Sequence, residues 1–199
     1  MPSRESRQRI LQVMDDVREL GGEAYSIQSI QGRRHPVRRD TETLLAALMM
    51  AAMPQTIFEL GTGYGLSTLC LALGSEQARI HTVEFDPDIA TTAAHYFQEA
   101  EIRERITQWI CPAEQAVELI PSQIPPPDVV FFDHAMVRYE TDLAALLTRC
   151  GSKSLLILAD NVEDHQEEIP GFLTWMADNA VAWTIHPTQC GLLIARVAG

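Results

Sequence analysis

The sequence predicts an α/β fold: a seven-stranded, mostly parallel sheet with helices on both faces and an antiparallel last strand. Three observations carry this expectation. Beyond Pro54, short runs rich in β-branched and aromatic residues alternate with helical segments; the first run flows into a glycine turn; and the last two runs are joined by only five residues.

Each element can be justified in turn. From Glu5 to Leu20, the apolar residues Ile10, Leu11, Val13, Met14, Val17 and Leu20 recur at helical spacing, and Gly21-Gly22 supplies the expected stop. A second helix is expected over 40–53, with Leu44, Leu45, Leu48 and Met49 on its apolar face and Pro54 just beyond. The parallel strands follow as TIFEL (56–60), RIHTVEF (79–85), ITQWI (106–110), DVVFFD (128–133) and SLLILAD (154–160). PPP at 125–127 is a loop leading into the fourth of them. A helix around 170–179 precedes AVAWTIH (180–186) and LLIARV (192–197), which PTQCG joins. So short a link implies an antiparallel hairpin at the sheet edge.

The bulk composition narrows the classes of function. The chain has 199 residues, 46% of them hydrophobic, enough to enclose one core, so a single domain is expected over 1–199. Within it, 1–53 forms a helical cap segment ahead of a ligand-binding core over 54–199. The start MPSRESRQRI lacks the apolar stretch of a signal peptide, and no run approaches a membrane span, so a soluble, cytoplasmic protein without a membrane partner is expected. Cys70, Cys111, Cys150 and Cys190 are widely spaced and form no CxxC pair, which suits reduced structural thiols. A net charge of −12 opposes general nucleic-acid binding. The exception is the basic patch RRHPVRR at 33–39, either a solvated loop or a contact for an anionic partner.

ELGTGYGLST, residues 59–68, joins the first strand to a helix. Its glycines let the backbone turn sharply and approach a ligand, while the helix N-terminus offers free amides. The spacing is GxGxG at Gly61, Gly63 and Gly65, with Leu66 where a dinucleotide fingerprint has its third glycine, which weakens a pyrophosphate reading. Glu84 ends the second strand, where a carboxylate accepts hydrogen bonds from ribose hydroxyls. Together they point to a nucleoside ligand on a Rossmann-like sheet. Glu59 is either a strand-end charge or a carboxylate facing a cationic amino group of the ligand; Ser67 either caps the helix or touches the ligand.

Asp133 and Asp160 end the fourth and fifth strands, on the side of an open sheet where ligands bind. Neighbouring strands lie roughly 5 Å apart, so two carboxylates there can converge on one hard cation, with Asn161 adding a neutral oxygen. Mg²⁺ or another divalent ion suits such a set. The alternative for each aspartate is a helix cap or an Asx turn.

ELGTGYGLS, the strand-end Glu84, FFDHAMVRY and LLILADNV together resemble the class I S-adenosylmethionine-dependent methyltransferases, specifically the catechol O-methyltransferase family, from about Val37 to His165. The resemblance implies methyl transfer from S-adenosylmethionine to a hydroxyl held on Mg²⁺. It implies that Glu59, Gly61, Ser67 and Glu84 hold the cofactor, with Thr62, Gly63, Tyr64 and Phe85 in the same surroundings. Ala113 and Glu114 would flank the adenine and Val37 would close over the methionine end. Asp133, Asp160 and Asn161 match the metal ligands, with Asp133 also beside the cofactor, and His134 matches a cofactor-contacting histidine.

The departures from that family fall on the acceptor side. Where relatives commonly place a basic lysine, this chain has Met136, which cannot accept a proton; the aromatic gate position is Ala135. His134 is the nearest titratable substitute and His35 the second, although each is also readable as a packing or loop residue. The segment EDHQEE at 163–168 forms an acidic stretch, either a solvated face or a rim selecting a cationic acceptor. The expected partner is thus a small hydroxylated molecule, with aromatic ones among the candidates and a homodimer left open. A tRNA-modifying member of the same superfamily, anchored by Arg33, Arg34, Arg38 and Arg39, and a non-catalytic S-adenosylmethionine-binding module are the alternatives.

Overall fold

The chain, described by a computed structural model over residues 3–26, 37–119, 122–150 and 154–198, builds a seven-stranded sheet between two helical layers. The strands are β1 (Thr56–Leu60), β2 (Arg79–Glu84), β3 (Ile106–Ile110), β4 (Val129–Phe132), β5 (Leu155–Ala159), β6 (Ala180–His186) and β7 (Leu192–Val197). They run in the order β3-β2-β1-β4-β5-β7-β6. The first five are parallel, and β7 lies antiparallel to both β5 and β6. The expected hairpin therefore sits at the sheet edge, with β7 on its inner side.

Alternating side chains feed two separate cores, as the period of a strand requires. Ile57, Val129, Phe131, Leu158 and Leu192 face one layer, made by α1 (Arg4–Ser26), α2 (Arg39–Ala52), α3 (Leu66–Gly74) and α4 (Pro87–Glu99). Phe58, Val130, Phe132, Ile157 and Leu193 face the other, made by α5 (Ala113–Leu119), α6 (Tyr139–Cys150) and α7 (Pro170–Asn179). Strands buried on both sides have no room for a polar alternation, which explains why β4 reads as an unbroken VVFF.

One expectation is corrected. Helix α1 does not stop at Gly21-Gly22 but runs on to Ser26. A glycine keeps its backbone N–H, so a pair weakens a helix by about 1 kcal/mol each without breaking its hydrogen-bond ladder. Against that, Ile10, Val13, Met14 and Val17 are fully or almost fully buried, and each contributes roughly 1.5–3 kcal/mol. The guanidinium of Arg18 also clasps both carboxylate oxygens of Glu42 on α2, with Nε at 3.1 Å from each. Helix α2 packs so closely on α3 that a Cβ on Gly74 would fall 2.2 Å from the Ala46 carbonyl. Met53, in a left-handed conformation, caps α2 by donating its N–H to the Met49 carbonyl, and Pro54 follows.

Sheet register places the ligand side. Leu60 pairs with Val83 and Phe132, and Phe132 pairs with Ala159. The residues just beyond these positions are Gly61, Glu84, Asp133 and Asp160, and strand order reverses between β1 and β4, where an open α/β sheet forms its crevice.

Candidate active site

A cleft of about 760 Å³ opens over those strand ends. Its first half is shaped by the turn after β1. The N–H groups of Gly61 and Thr62 both donate to the Val83 carbonyl, at 3.1 and 3.0 Å, and the Thr62 and Thr82 hydroxyls meet at 2.6 Å. Gly61 has φ +104°, and a Cβ there would lie 2.0 Å from the Asp133 carbonyl oxygen, so only glycine lets β1 and β4 end this close together. Gly65, at φ +93°, is the N-cap of α3 and supplies no side-chain cap, which leaves the helix amides facing the cleft wall. Ser67 is therefore not the cap; with Thr68 and Thr82, its hydroxyl helps to pull the Glu59 carboxyl down.

Glu84 is buried and accepts the Gly63 N–H at 3.0 Å and the Asp86 N–H at 3.1 Å, one on each oxygen. These two bonds fix the direction of the carboxylate. Phe85, 65% exposed, stands at the rim, and Ala113 and Glu114 begin α5 on the far side of the same cleft. Tyr64 and Val37 also line it.

Glu59 is fully buried on the α3 face of β1. Burial pushes its carboxyl up to about 7, against hydrogen bonds from Thr68, Thr82 and Ser67 that pull it down. Thr68 Oγ1 donates to its Oε2 at 2.5 Å, while its Oε1 has no protein partner among the described residues. An orphaned buried acceptor of this kind calls for a donor from a ligand.

The second half of the cleft is made by side chains. Asp133 and Asp160 are neighbours at the ends of β4 and β5, and the Asp160 N–H donates to the Phe132 carbonyl at 3.0 Å. Burial raises the Asp133 carboxyl well above the usual range, with Asp160 and Glu59 adding repulsion. Asp160 is pushed up to about 6, chiefly by burial, against hydrogen bonds from the Asn161 backbone and Thr41. Asn161 sits in a left-handed conformation, φ +61°, with its amide 3.4 Å from Asp133 Oδ1. Beneath them, the buried Tyr139 hydroxyl lies 3.0 Å from the Phe132 carbonyl and 3.3 Å from that of Asp160, holding both strand ends.

This donor set fits a hard divalent cation: two desolvated carboxylates repelling each other and a neutral amide. Among the described residues no group of three or more His, Cys, Asp or Glu side chains is placed to hold a metal ion, and this set too has only two carboxylates.

His134 also lines the cleft. Its Nε2 is 2.8 Å from Asp142 Oδ2, and its ring packs against Phe132 and Tyr139, with centroids 5.9 and 5.2 Å away. Asp142, 1% exposed, takes Arg138 on its other oxygen at 2.6 Å, and Arg138 Nε lies 3.7 Å from Glu114. Burial acts upward on the Asp142 carboxyl, but the bonds from His134 and Arg138 prevail and hold it below the ordinary range.

The cleft thus gathers the expected Val37, Glu84, Phe85, Ala113, Glu114, Asp133, His134, Asp160 and Asn161, together with the glycine turn. His35, with Arg33 and Arg34 of the basic patch, lies outside the described residues; Arg38 lines the cleft. The cysteines Cys70, Cys111 and Cys190 are free thiols, and Cys190 faces the cleft. Sequence reasoning missed Asp142, Thr41 and, within the acidic segment, the inward set Asp164, His165 and Glu168. Asp142 had a local signal: it stands four residues after Arg138 at the start of a helix, an ion-pair spacing.

Comparison with known proteins agrees with this geometry. A family described as "Methyltransferase domain" matches residues 58–162. Catechol O-methyltransferase from Sus scrofa is 30% identical over 131 residues, which cover 63% of this chain and 70% of that protein. The Bos taurus enzyme is 30% identical over 132 residues, 64% of this chain but 47% of its own length, so the chain spans about half of that relative. Among solved structures, an O-methyltransferase from Bacillus cereus in complex with SAH superposes with a TM-score of 0.76 at 22% identity, covering 99% of this chain and 92% of that one. The chain belongs to the methyltransferase-domain family of class I S-adenosylmethionine-dependent enzymes, as a catechol O-methyltransferase-like O-methyltransferase. Among the described residues no helix is long and apolar enough to cross a membrane.

Proposed function

We propose that the cleft transfers a methyl group from S-adenosylmethionine to a small hydroxylated acceptor with the help of one divalent cation. The observation that carries this reading is the pair Asp133 and Asp160, adjacent at strand ends, buried, and raised in pKa by desolvation and repulsion. Such a pair costs the folded chain stability until a cation or protons neutralise it.

In this reading Asp133, Asp160 and Asn161 hold the ion. A cation there supplies Lewis acidity, lowering the pKa of a bound acceptor hydroxyl and fixing its direction. Glu84 accepts the ribose hydroxyls, its rotamer already set by the Gly63 and Asp86 amides. Glu59, through its orphaned Oε1, and Gly61 and Ser67 receive the methionine end, with Val37 above it. Thr62, Gly63 and Tyr64 shape the wall, and Phe85, Ala113, Glu114 and His134 enclose the adenine. Segment 1–53 acts as a cap on the core over 54–199, since α2 brings Thr41 to within 3.5 Å of Asp160.

The test combines calorimetry with turnover of vicinal diphenols. S-adenosylmethionine should bind without metal, and Mg²⁺ should be required for turnover, with both Mg²⁺ binding and turnover lost in Asp160→Ala. Full activity in chelator would remove the metal from the mechanism.

A further inference from the structure

We propose that His165 and Glu168 form the acceptor-side proton-transfer dyad, with His165 Nε2 as the general base in place of the absent lysine. This rests on the O-methyl transfer reading above. Both residues line the same cleft as Asp133, Asp160 and Asn161. His165 Nδ1 is 2.7 Å from Glu168 Oε1. An ionised carboxylate only accepts, so Nδ1 carries the proton and Nε2 presents its lone pair. Nε2 makes no hydrogen bond among the described residues.

The loop that carries the dyad is fastened. The N–H groups of Val162 and Glu163 donate to the Gly191 and Cys190 carbonyls, each at 3.0 Å, and Gly191 packs so tightly on Glu163 that a Cβ would fall 2.3 Å from the Glu163 Cβ. Histidine is the side chain that best exchanges a proton near neutral pH. Glu168, Asp164, Asp160, Arg38 and Cys190 are the titratable and charged groups that line the cleft on the same side.

The other groups in the cleft serve less well. His134 has Nε2 committed to Asp142, and its Nδ1 is closed off from solvent, so a proton taken there has no route out. Burial pushes the Cys190 thiol up, leaving it protonated at neutral pH. Met136 has no basic atom. His165, with a side chain 45% exposed, can take a proton from the acceptor and release it to water.

The step balances as follows. The acceptor O–H proton goes to His165 Nε2 and the oxygen lone pair forms the new O–CH₃ bond. The S–CH₃ bond of the donor breaks with its electron pair going to sulfur, which becomes a neutral thioether. Glu168 stabilises the imidazolium until it loses its proton to solvent.

The experiment is steady-state kinetics of the full chain with S-adenosylmethionine, Mg²⁺ and three probes: catechol, a dihydroxybenzoate and a dihydroxyphenethylamine. His165→Ala should lower kcat about 100-fold, with acceptor KM and calorimetric cofactor affinity nearly unchanged, and free imidazole should restore about a tenth of the loss. Glu168→Gln should lower kcat about tenfold and shift the acid limb of the kcat–pH profile. Should His165→Ala fold poorly by circular dichroism, His165→Gln carries the same expectation. Wild-type kcat in a folded His165 variant overturns the dyad alone. A wild-type chain that binds the cofactor yet methylates none of the probes overturns the O-methyl transfer reading, and the dyad falls with it.

Discussion

The two halves of the cleft are held by different forces. On the cofactor side, backbone amides do the positioning: Gly61 and Thr62 on Val83, Gly63 and Asp86 on Glu84. On the acceptor side the groups come from the residues just before α2, the ends of β4 and β5, the loop after β5 and the turn before β7, and the carboxylates of Asp133 and Asp160 repel one another. Apart from the orphaned Oε1 of Glu59, the first half is finished before any ligand arrives. The second is left with charge that only a ligand or a proton can neutralise, a condition more often met at reacting centres than at packing contacts.

The largest test of that contrast is Asp160→Ala. Turnover should fall at least about 1,000-fold through loss of the cation's charge stabilisation, while metal-free S-adenosylmethionine affinity stays at the wild-type value. A matching loss of cofactor affinity would show that the halves are not separate.

Gly61→Ala lies on the boundary and should damage both. With φ +104° and a Cβ 2.0 Å from the Asp133 carbonyl, the alanine must push β1 and β4 apart, at a cost of about 3 kcal/mol or more in chemical denaturation. Glu84→Ala is the converse of the aspartate variant. It should weaken cofactor binding by roughly 1–3 kcal/mol and leave the thermal stabilisation by Mg²⁺ in place.

Asp142→Asn should be milder on activity, weakening cofactor affinity by about 1 kcal/mol as His134 loses its orienting carboxylate; unchanged affinity would make the His134 bond a packing detail. The smallest effect is a pH trend. Asp160 rises from an ordinary 3.8 to about 6 on folding, so between those values the folded chain keeps a proton that the unfolded chain has lost. Stability conferred in this way is complete below the unfolded value and is lost as pH rises through about 6. Glu59, raised to about 7, adds to the same slope, and Asp142, whose carboxyl is held low, acts only at more acidic pH. The melting temperature of the metal-free chain should therefore decline from pH 5 to 7.5, and Mg²⁺ should flatten that decline.

The same division governs what was legible in the sequence. Central strands such as β1 and β4 were readable because burial on both faces leaves apolar runs, while the more exposed edge strands β3 and β6 were readable from their β-branched and aromatic content. The glycine turn and Glu84 were readable because backbone-made sites impose residue types at fixed steps. The end of α1 was not, because a glycine pair weakens a helix without removing its backbone hydrogen bonds, so it marks a stop only weakly. Among site residues, adjacent placement of Asp133 and Asp160 followed from parallel register, but their perturbed ionisation needed knowledge of what covers them. EDHQEE read as one uniform acidic stretch; the fold turns Asp164, His165 and Glu168 to the cleft. Glu168 does so from a 3-10 turn over Gln166–Glu168, and charge composition does not encode that placement.

The position of β7 inside the sheet has a consequence for how the molecule is made. The ribosome delivers β1 to β5 in order, with the glycine turn, Glu84 and both aspartates already emerged. The loop bearing His165 lacks two of its backbone clasps until Gly191 and Cys190 accept its amides and Leu192–Val197 slides between β5 and β6. A nascent chain can thus complete its cofactor half well before its acceptor half exists. Synthesis itself separates the two, and a chain interrupted before β7 would carry a nucleoside pocket without the means to use it.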